Sequence, residues 1–175
     1  RKGNIKTLKK FERKFNYKNI VTKPYKKNNI IISSSLIRKK IRDGKLMEAN
    51  KLLNRQWCVE GKVIKGKKRG RKIGFPTCNM NLSNYVVPKL GVYSVRVNTD
   101  SFNKNGVANI GYRPTFNGQT LLLEINIFGI NKNLYNKVIS VSFKKFIRGE
   151  KKFKDIEYLK KQIKIDIKQA KKNYV

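Results

Sequence analysis

The stretch Gly66–Leu82, GKKRGRKIGFPTCNMNL, begins as a glycine-rich basic loop and ends as an alternating strand. Gly66, Gly70 and Gly74 leave backbone N–H groups free to approach oxygen atoms closely. Lys67, Lys68, Arg69, Arg71 and Lys72 surround them with positive charge. The combination suits a phosphate, but this is no Walker loop. That motif has four residues between its glycines and then Gly-Lys-Ser/Thr. Here three residues separate Gly66 from Gly70, and no Lys-Ser/Thr follows. The HRD and DFG signatures of protein kinases are missing as well. On composition alone a plain basic hairpin is the simpler reading.

Outward from this stretch, residues 55–175 read mostly as strand. Candidates are Gln56–Lys65, Thr77–Leu82, Gly91–Asn98, Asn105–Ile110, Leu121–Phe128 and Val138–Ile147. Turn signals separate them: GKKRG, NTDSFNKNG, NGQ and GINKN. Six strands at this spacing point to a small antiparallel barrel rather than a βαβ sheet. Asp155–Lys172 reads as a helix, with Ile156, Leu159, Ile163 and Ile167 as its apolar stripe.

Residues 1–54 differ. IKTLKKFERKF places Ile5, Leu8, Phe11 and Phe15 at helical spacing. Two short β-branched runs flank a Pro-Tyr break in NIVTKPYKKNNIIIS. SSSLIRKKIRDGKLMEANKLLN then reads as helix capped by serines, with Gly44 dividing it in two.

The chain has 175 residues, with 43 Lys and Arg against 10 Asp and Glu, a net charge of +33. A nucleic-acid binder and a lysine-rich composition spread over every surface both fit, and the lysines are scattered through all segments. A nucleic-acid-binding barrel needs aromatics interleaved with cations on one face. Phe75, Tyr93, Phe116 and Tyr135 instead fall at turns or in core-like alternation, so nucleic acid is disfavoured. No apolar run approaches a membrane span. The chain opens with RKGNIKTLKK, without Met or a secretory signal, and is expected to be cytoplasmic and part of a longer protein. It has no histidine, which removes Ser-His-Asp and Cys-His catalysis and disfavours structural zinc. Cys58 and Cys78 read as small buried hydrophobes.

Two features carry chemistry. Thr77 and Asn79 are two apart, so a strand presents them on one face. Their hydroxyl and amide oxygens suit a magnesium ion held mainly by substrate phosphates; they also suit simple bonding to backbone near a turn. Glu124 lies in LLLEINIF, the most apolar strand of an acid-poor chain. Alternation puts Leu122, Glu124 and Asn126 on one face and Leu123, Ile125 and Ile127 on the other. A surface glutamate is the default, but a carboxylate beside a phosphate site can accept the proton of an alcohol being phosphorylated.

GKVIKGKKRGRKIGFPTCNMNL, GVYSVRV, GVANIGYRPTF, LLLEINIF, LYNKVISVSFKKFIRGEKKF and the last helix occur in the order seen in riboflavin kinases, which this part of the chain resembles. The resemblance implies a six-stranded Greek-key barrel with a C-terminal helix, and transfer of the γ-phosphate of ATP to the terminal ribityl hydroxyl of riboflavin, giving FMN and ADP. It implies that Gly66, Gly70, Arg71, Lys72 and Gly74 lie in a flap over ATP, that Thr77 and Asn79 meet ATP phosphate and Mg2+, and that Glu124 is the catalytic base. Arg148, Glu150 and Phe153 would lie in a mobile segment near the flavin. Asn109 and Arg113 would help to shape the site, without an assigned role. Cys78 departs from the alanine of many relatives.

Residues 1–54 resemble the end of the FMN adenylyltransferase domain of bacterial bifunctional FAD synthetases, an incomplete α/β nucleotidyltransferase. Ser33, Ser34 and Arg38 match that family's nucleotide-site run, and a serine cap on an ordinary helix is the alternative. The family's His-x-Gly-His motif has no counterpart in a chain without histidine. FAD synthesis is therefore not expected from this chain alone, and residues 1–50 are expected to be poorly ordered without their sheet partners.

Overall fold

A computed structural model describes residues 4–115, 118–130 and 132–174. Phe116, one of the aromatics weighed above, lies outside the described residues. The chain divides into two compact units, Arg1–Ile32 and Ser33–Val175.

In the first unit, helix α1 spans Ile5–Phe15. The Asn4 side chain caps it by accepting from the Thr7 N–H at 3.0 Å, and Asn16 ends it in the left-handed conformation. Strands β1 (Lys26–Lys27) and β2 (Ile30–Ile31) form a hairpin. Asn28 and Asn29 both have positive φ, as a tight two-residue turn requires. The helical spacing was correct, but α1 buries none of its residues: Ile5, Leu8 and Phe15 stay exposed.

In the second unit, α2 (Ser34–Arg42) and α3 (Leu46–Leu53) meet at Gly44, whose φ is +73°. Ile41, Leu46 and Ala49 belong to the same buried core as the barrel residues. Asn50 clamps α3 to the barrel: its amide donates to the Phe143 carbonyl at 3.0 Å and accepts from the Trp57 N–H at 2.7 Å.

The barrel follows: β3 (Cys58–Lys62), the short helix α4 (Arg69–Lys72), β4 (Cys78–Asn81), β5 (Gly91–Asn98), β6 (Asn103–Thr115), β7 (Gly118–Ile127), β8 (Val138–Arg148) and α5 (Ile156–Lys172). Its six strands are ordered β3-β8-β5-β6-β7-β4, all antiparallel. The order β8-β5-β6-β7 is a Greek key. An Ile64–Asn79 bridge brings the edges together, with the Ile64 N–H donating to the Asn79 carbonyl at 2.9 Å. Tyr85 caps the remaining free edge of β3: its hydroxyl bonds both the N–H and the carbonyl of Glu60 at 2.9 Å.

Alternation fills the interior with Val59, Met80, Leu82, Tyr93, Val95, Val97, Ile110, Leu123, Ile125, Val141 and Phe143. Phe143 packs against Trp57 and Tyr93, with ring centres 4.9 and 5.4 Å away. Strand β6 is longer than its sequence suggests. Gly111 and Pro114 are local breakers, yet pairing with β7 continues from Gly106 to Thr115.

On the outside of the barrel α5 covers Val92 and Val107. Asp155 caps the helix by accepting from the Tyr158 N–H at 3.0 Å. The buried face follows most of the expected stripe: Leu159, Ile163 and Ile167 are partly buried. Ile156 is exposed, because the first turn does not pack on the sheet, and the face carries Asp166 and Ala170 as its most buried residues beside Ile167. Among the described residues, no helix is long and apolar enough to cross a membrane.

Candidate active site

The alternation of β7 puts Glu124 on the outer face, and sheet register then determines its neighbours. Glu124 stands opposite Asn79 of β4 on one side and Asn109 of β6 on the other. Three polar residues thus form one row across three strands, beyond the edge of the α5 cover. Asn79 is buried, at 8% exposed, whereas the Glu124 side chain is 30% exposed and open to a reactant.

The loop between β3 and β4 folds over this row. Gly66 lies directly against the Asn79 amide, where a Cβ would overlap it. Gly70 sits in α4 against the Phe75 carbonyl, and the Phe75 N–H donates to the Gly70 carbonyl at 2.8 Å. A Cβ on Gly70 would lie 3.4 Å from the Thr77 hydroxyl, so Thr77 abuts the same loop. Gly74 has φ +88° in the turn that leads back to the strand. The expected open hairpin is thus partly helical, over Arg69–Lys72. Arg71 and Lys72 are exposed, and among the described residues no carboxylate pairs with either.

Asn126, which sequence reasoning did not single out, donates from its amide to the Pro76 carbonyl at 2.7 Å. This bond holds the entry to β4, and with it Thr77, against β7. A shallow groove of about 370 Å³ opens beside it, lined by Gly74, Phe75, Asn126, Phe128, Ile167 and Lys171 among others. A smaller cleft behind Thr77 and Cys78 is lined by Val63, Ile125 and Ile127 together with the polar Arg71, Lys132 and Asn133. Burial there pushes the Cys78 thiol up to about 11.

Arg113 pairs with Glu124, its Nε donating to Oε1 at 2.9 Å. The Glu150 carboxylate lies over Gly111, near the Asn109 amide. Arg148 is engaged inside the protein instead. It makes a two-pronged bond to Asp166 of α5, Nε to Oδ1 at 2.9 Å and Nη2 to Oδ2 at 2.7 Å, while Nη1 donates to the Gly149 carbonyl at 2.8 Å. Gln162 donates to the same Asp166 at 2.9 Å, and Phe153 stacks near the guanidinium at 5.8 Å. Asp166 carried no sequence signal beyond being an acid in a lysine-rich helix.

Ser33 caps α2, accepting from the Leu36 N–H at 3.2 Å, and Arg38 reaches the Ser34 hydroxyl at 3.4 Å. These are the contacts of an ordinary capped helix. Among the described residues no cluster of three His, Cys, Asp or Glu side chains could hold a metal.

A glycine and cation loop thus closes over an amide–carboxylate–amide row on a Greek-key barrel. The comparisons with known proteins identify the family. The riboflavin kinase (flavokinase) family model matches residues 53–174, and the chain belongs to that family. It is 43% identical over 143 residues to the bifunctional riboflavin kinase/FMN adenylyltransferase of Bacillus subtilis, covering 79% of this chain and 45% of that protein. It is 40% identical over 179 residues to the protein of the same description from Buchnera aphidicola of Schizaphis graminum, covering 99% of this chain and 57% of that one. The chain thus spans about half the length of the curated relatives it matches. A crystal structure from Streptococcus pneumoniae superposes with a TM-score of 0.78 at 35% identity, covering 94% of this chain and 54% of that one. That protein is described as a macrolide-efflux protein, a description that concerns it alone.

Proposed function

We propose that the barrel is a riboflavin kinase, transferring the γ-phosphate of ATP to the terminal ribityl hydroxyl of riboflavin and releasing FMN and ADP. The observation that carries this reading is the row Asn79–Glu124–Asn109 beneath the Gly66–Gly74 loop. The backbone of that loop, with Arg71 and Lys72, would meet the phosphates. Glu124 would accept the hydroxyl proton as the new O–P bond forms and the bond from the γ-phosphorus to ADP breaks. The groove beside Phe75, Phe128 and Asn126 offers apolar surface and an amide next to Thr77, a fit for the purine. Glu150 and Phe153 would face the flavin, with Arg148 holding their segment on α5.

A divalent ion fits the donors present. Thr77 offers a hydroxyl and Asn79 an amide oxygen, both neutral and hard, as suits a hydrated Mg2+ held chiefly by ATP. When bound, the ion would neutralise charge on the phosphates.

Residues 1–54 are, in this reading, the tail of an FMN adenylyltransferase domain, and FAD formation belongs to a longer parent protein. The proposed compartment is the cytoplasm, where ATP is available. The test is incubation with riboflavin and Mg·ATP, resolving FMN and FAD by chromatography. FMN without FAD is expected; a folded protein that makes no FMN refutes the proposal.

A further inference from the structure

Arg113 bonds to Glu124 from an unexpected direction. In the β6–β7 ladder Glu124 stands opposite Asn109, whereas Arg113 stands opposite Thr120. A strand rises about 3.3 Å per residue, so the Arg113 backbone is roughly 13 Å along the strand from Asn109. Its side chain must run back along β6 to reach Oε1 of Glu124 at 2.9 Å. The residue between them on this face is Gly111, which has no side chain to stand in the path.

The Glu150 carboxylate occupies the same gap. A Cβ on Gly111 would lie 2.5 Å from Glu150 Oε1 and 3.6 Å from the Asn109 amide nitrogen. Arg113 therefore sits in the field of two carboxylates. The hydrogen bond to Glu124 holds its proton more firmly than usual, and the charges of Glu124 and Glu150 reinforce this against the opposing effect of burial.

Resting on the reading of Glu124 as the base, we infer that Arg113 is its positioning residue. The guanidinium fixes the orientation of the carboxylate over the Asn79–Asn109 row, and Glu150, held over Gly111, limits how far the guanidinium can swing. Arg113 acts through Glu124 and does not itself hold ATP. The packed side of the barrel shows the alternative: Arg148 grips its carboxylate with two prongs and leaves no room for a reactant, whereas Arg113 makes a single bond to a half-open one.

The test is a double-mutant cycle on the full chain, reading single-turnover FMN formation with riboflavin and Mg·ATP. Arg113→Gln is expected to slow the step by about 10- to 100-fold, with the KM for ATP within about threefold. In the Glu124→Gln background the same substitution changes the rate by less than about threefold, because residues that act as a unit are not additive. Arg113→Lys retains part of the lost rate, and it carries the cycle if the glutamine variant melts below the assay temperature. An equal loss in both backgrounds overturns the inference, as does an effect confined to the KM for ATP. Wild-type protein that makes no FMN removes the kinase reading itself, an outcome distinguishable from either.

Discussion

Two arginine–carboxylate pairs stand on the outer face of one barrel, and they differ in burial and in geometry. The Arg148–Asp166 side chains are 16% and 5% exposed, bonded through two prongs and supported by Gln162 and the Gly149 carbonyl. The Arg113–Glu124 side chains are 46% and 30% exposed and share one bond. Yet Arg148, Val92, Asn109, Glu124 and Asn79 belong to one continuous row of strand partners. What separates the two ends is α5. Where the helix covers the row, charge is neutralised within the protein and anchors one element to another. Past the helix, the pair stays partly exposed, beside the Asn79 that the β3–β4 loop covers.

Substitutions at the two ends should therefore fail in different ways. Glu124→Gln keeps the shape but removes the proton acceptor. Turnover is expected to fall by about 10²- to 10⁴-fold, with ATP affinity changed far less; steady-state kinetics beside a direct ATP-binding titration separates the two. Unchanged turnover would remove Glu124 as the base. Asp166→Ala does the reverse. It strands a mostly buried guanidinium, at a cost of about 3–5 kcal/mol of stability. Thermal melting should fall by on the order of 10 °C, while ATP affinity, measured well below the transition, changes little. An unaltered melting temperature would show that α5 is anchored by its apolar contacts alone.

Gly66→Ala probes the roof of the open end. The added methyl overlaps the Asn79 amide and must lift the loop. A loss of about 10- to 100-fold in kcat/KM for ATP is expected, with melting little changed. The mildest test concerns Cys78, whose thiol burial pushes up to about 11. At pH 8 only about one such thiol in a thousand is ionised. A maleimide probe, followed by peptide mapping, should thus label Cys78 slowly in the native protein and rapidly after denaturation. Equal rates would mean the cleft behind Thr77 opens freely.

Much of this was legible in the sequence. Period-two patterning located all six strands, and alternation put Glu124 outside and Leu123 and Ile125 inside. The glycine spacing of the β3–β4 loop drew attention to the loop that covers Asn79. What the pattern could not supply was cross-strand identity. Period two says which face a residue takes, not which residue stands beside it, so the Asn79–Glu124–Asn109 row emerged only from the register. Arg113 needed more still, since its side chain reaches Glu124 past a glycine rather than across the ladder. Asp166 looked like one acid among lysines because its partner lies 18 residues away. Ile156 fitted a helical stripe whose first turn stays exposed while Leu159, Ile163 and Ile167 are partly buried, and Ile5, Leu8 and Phe15 fitted one that their own unit does not bury.

In the proposed function, the open end of the row directs the γ-phosphate of ATP to an alcohol. Tracing the label from [γ-32P]ATP, with and without riboflavin, tests it most directly. Label is expected in FMN when riboflavin is present, with little release as inorganic phosphate when it is absent. Label appearing as inorganic phosphate at the same rate in both reactions, with none in FMN, would contradict it.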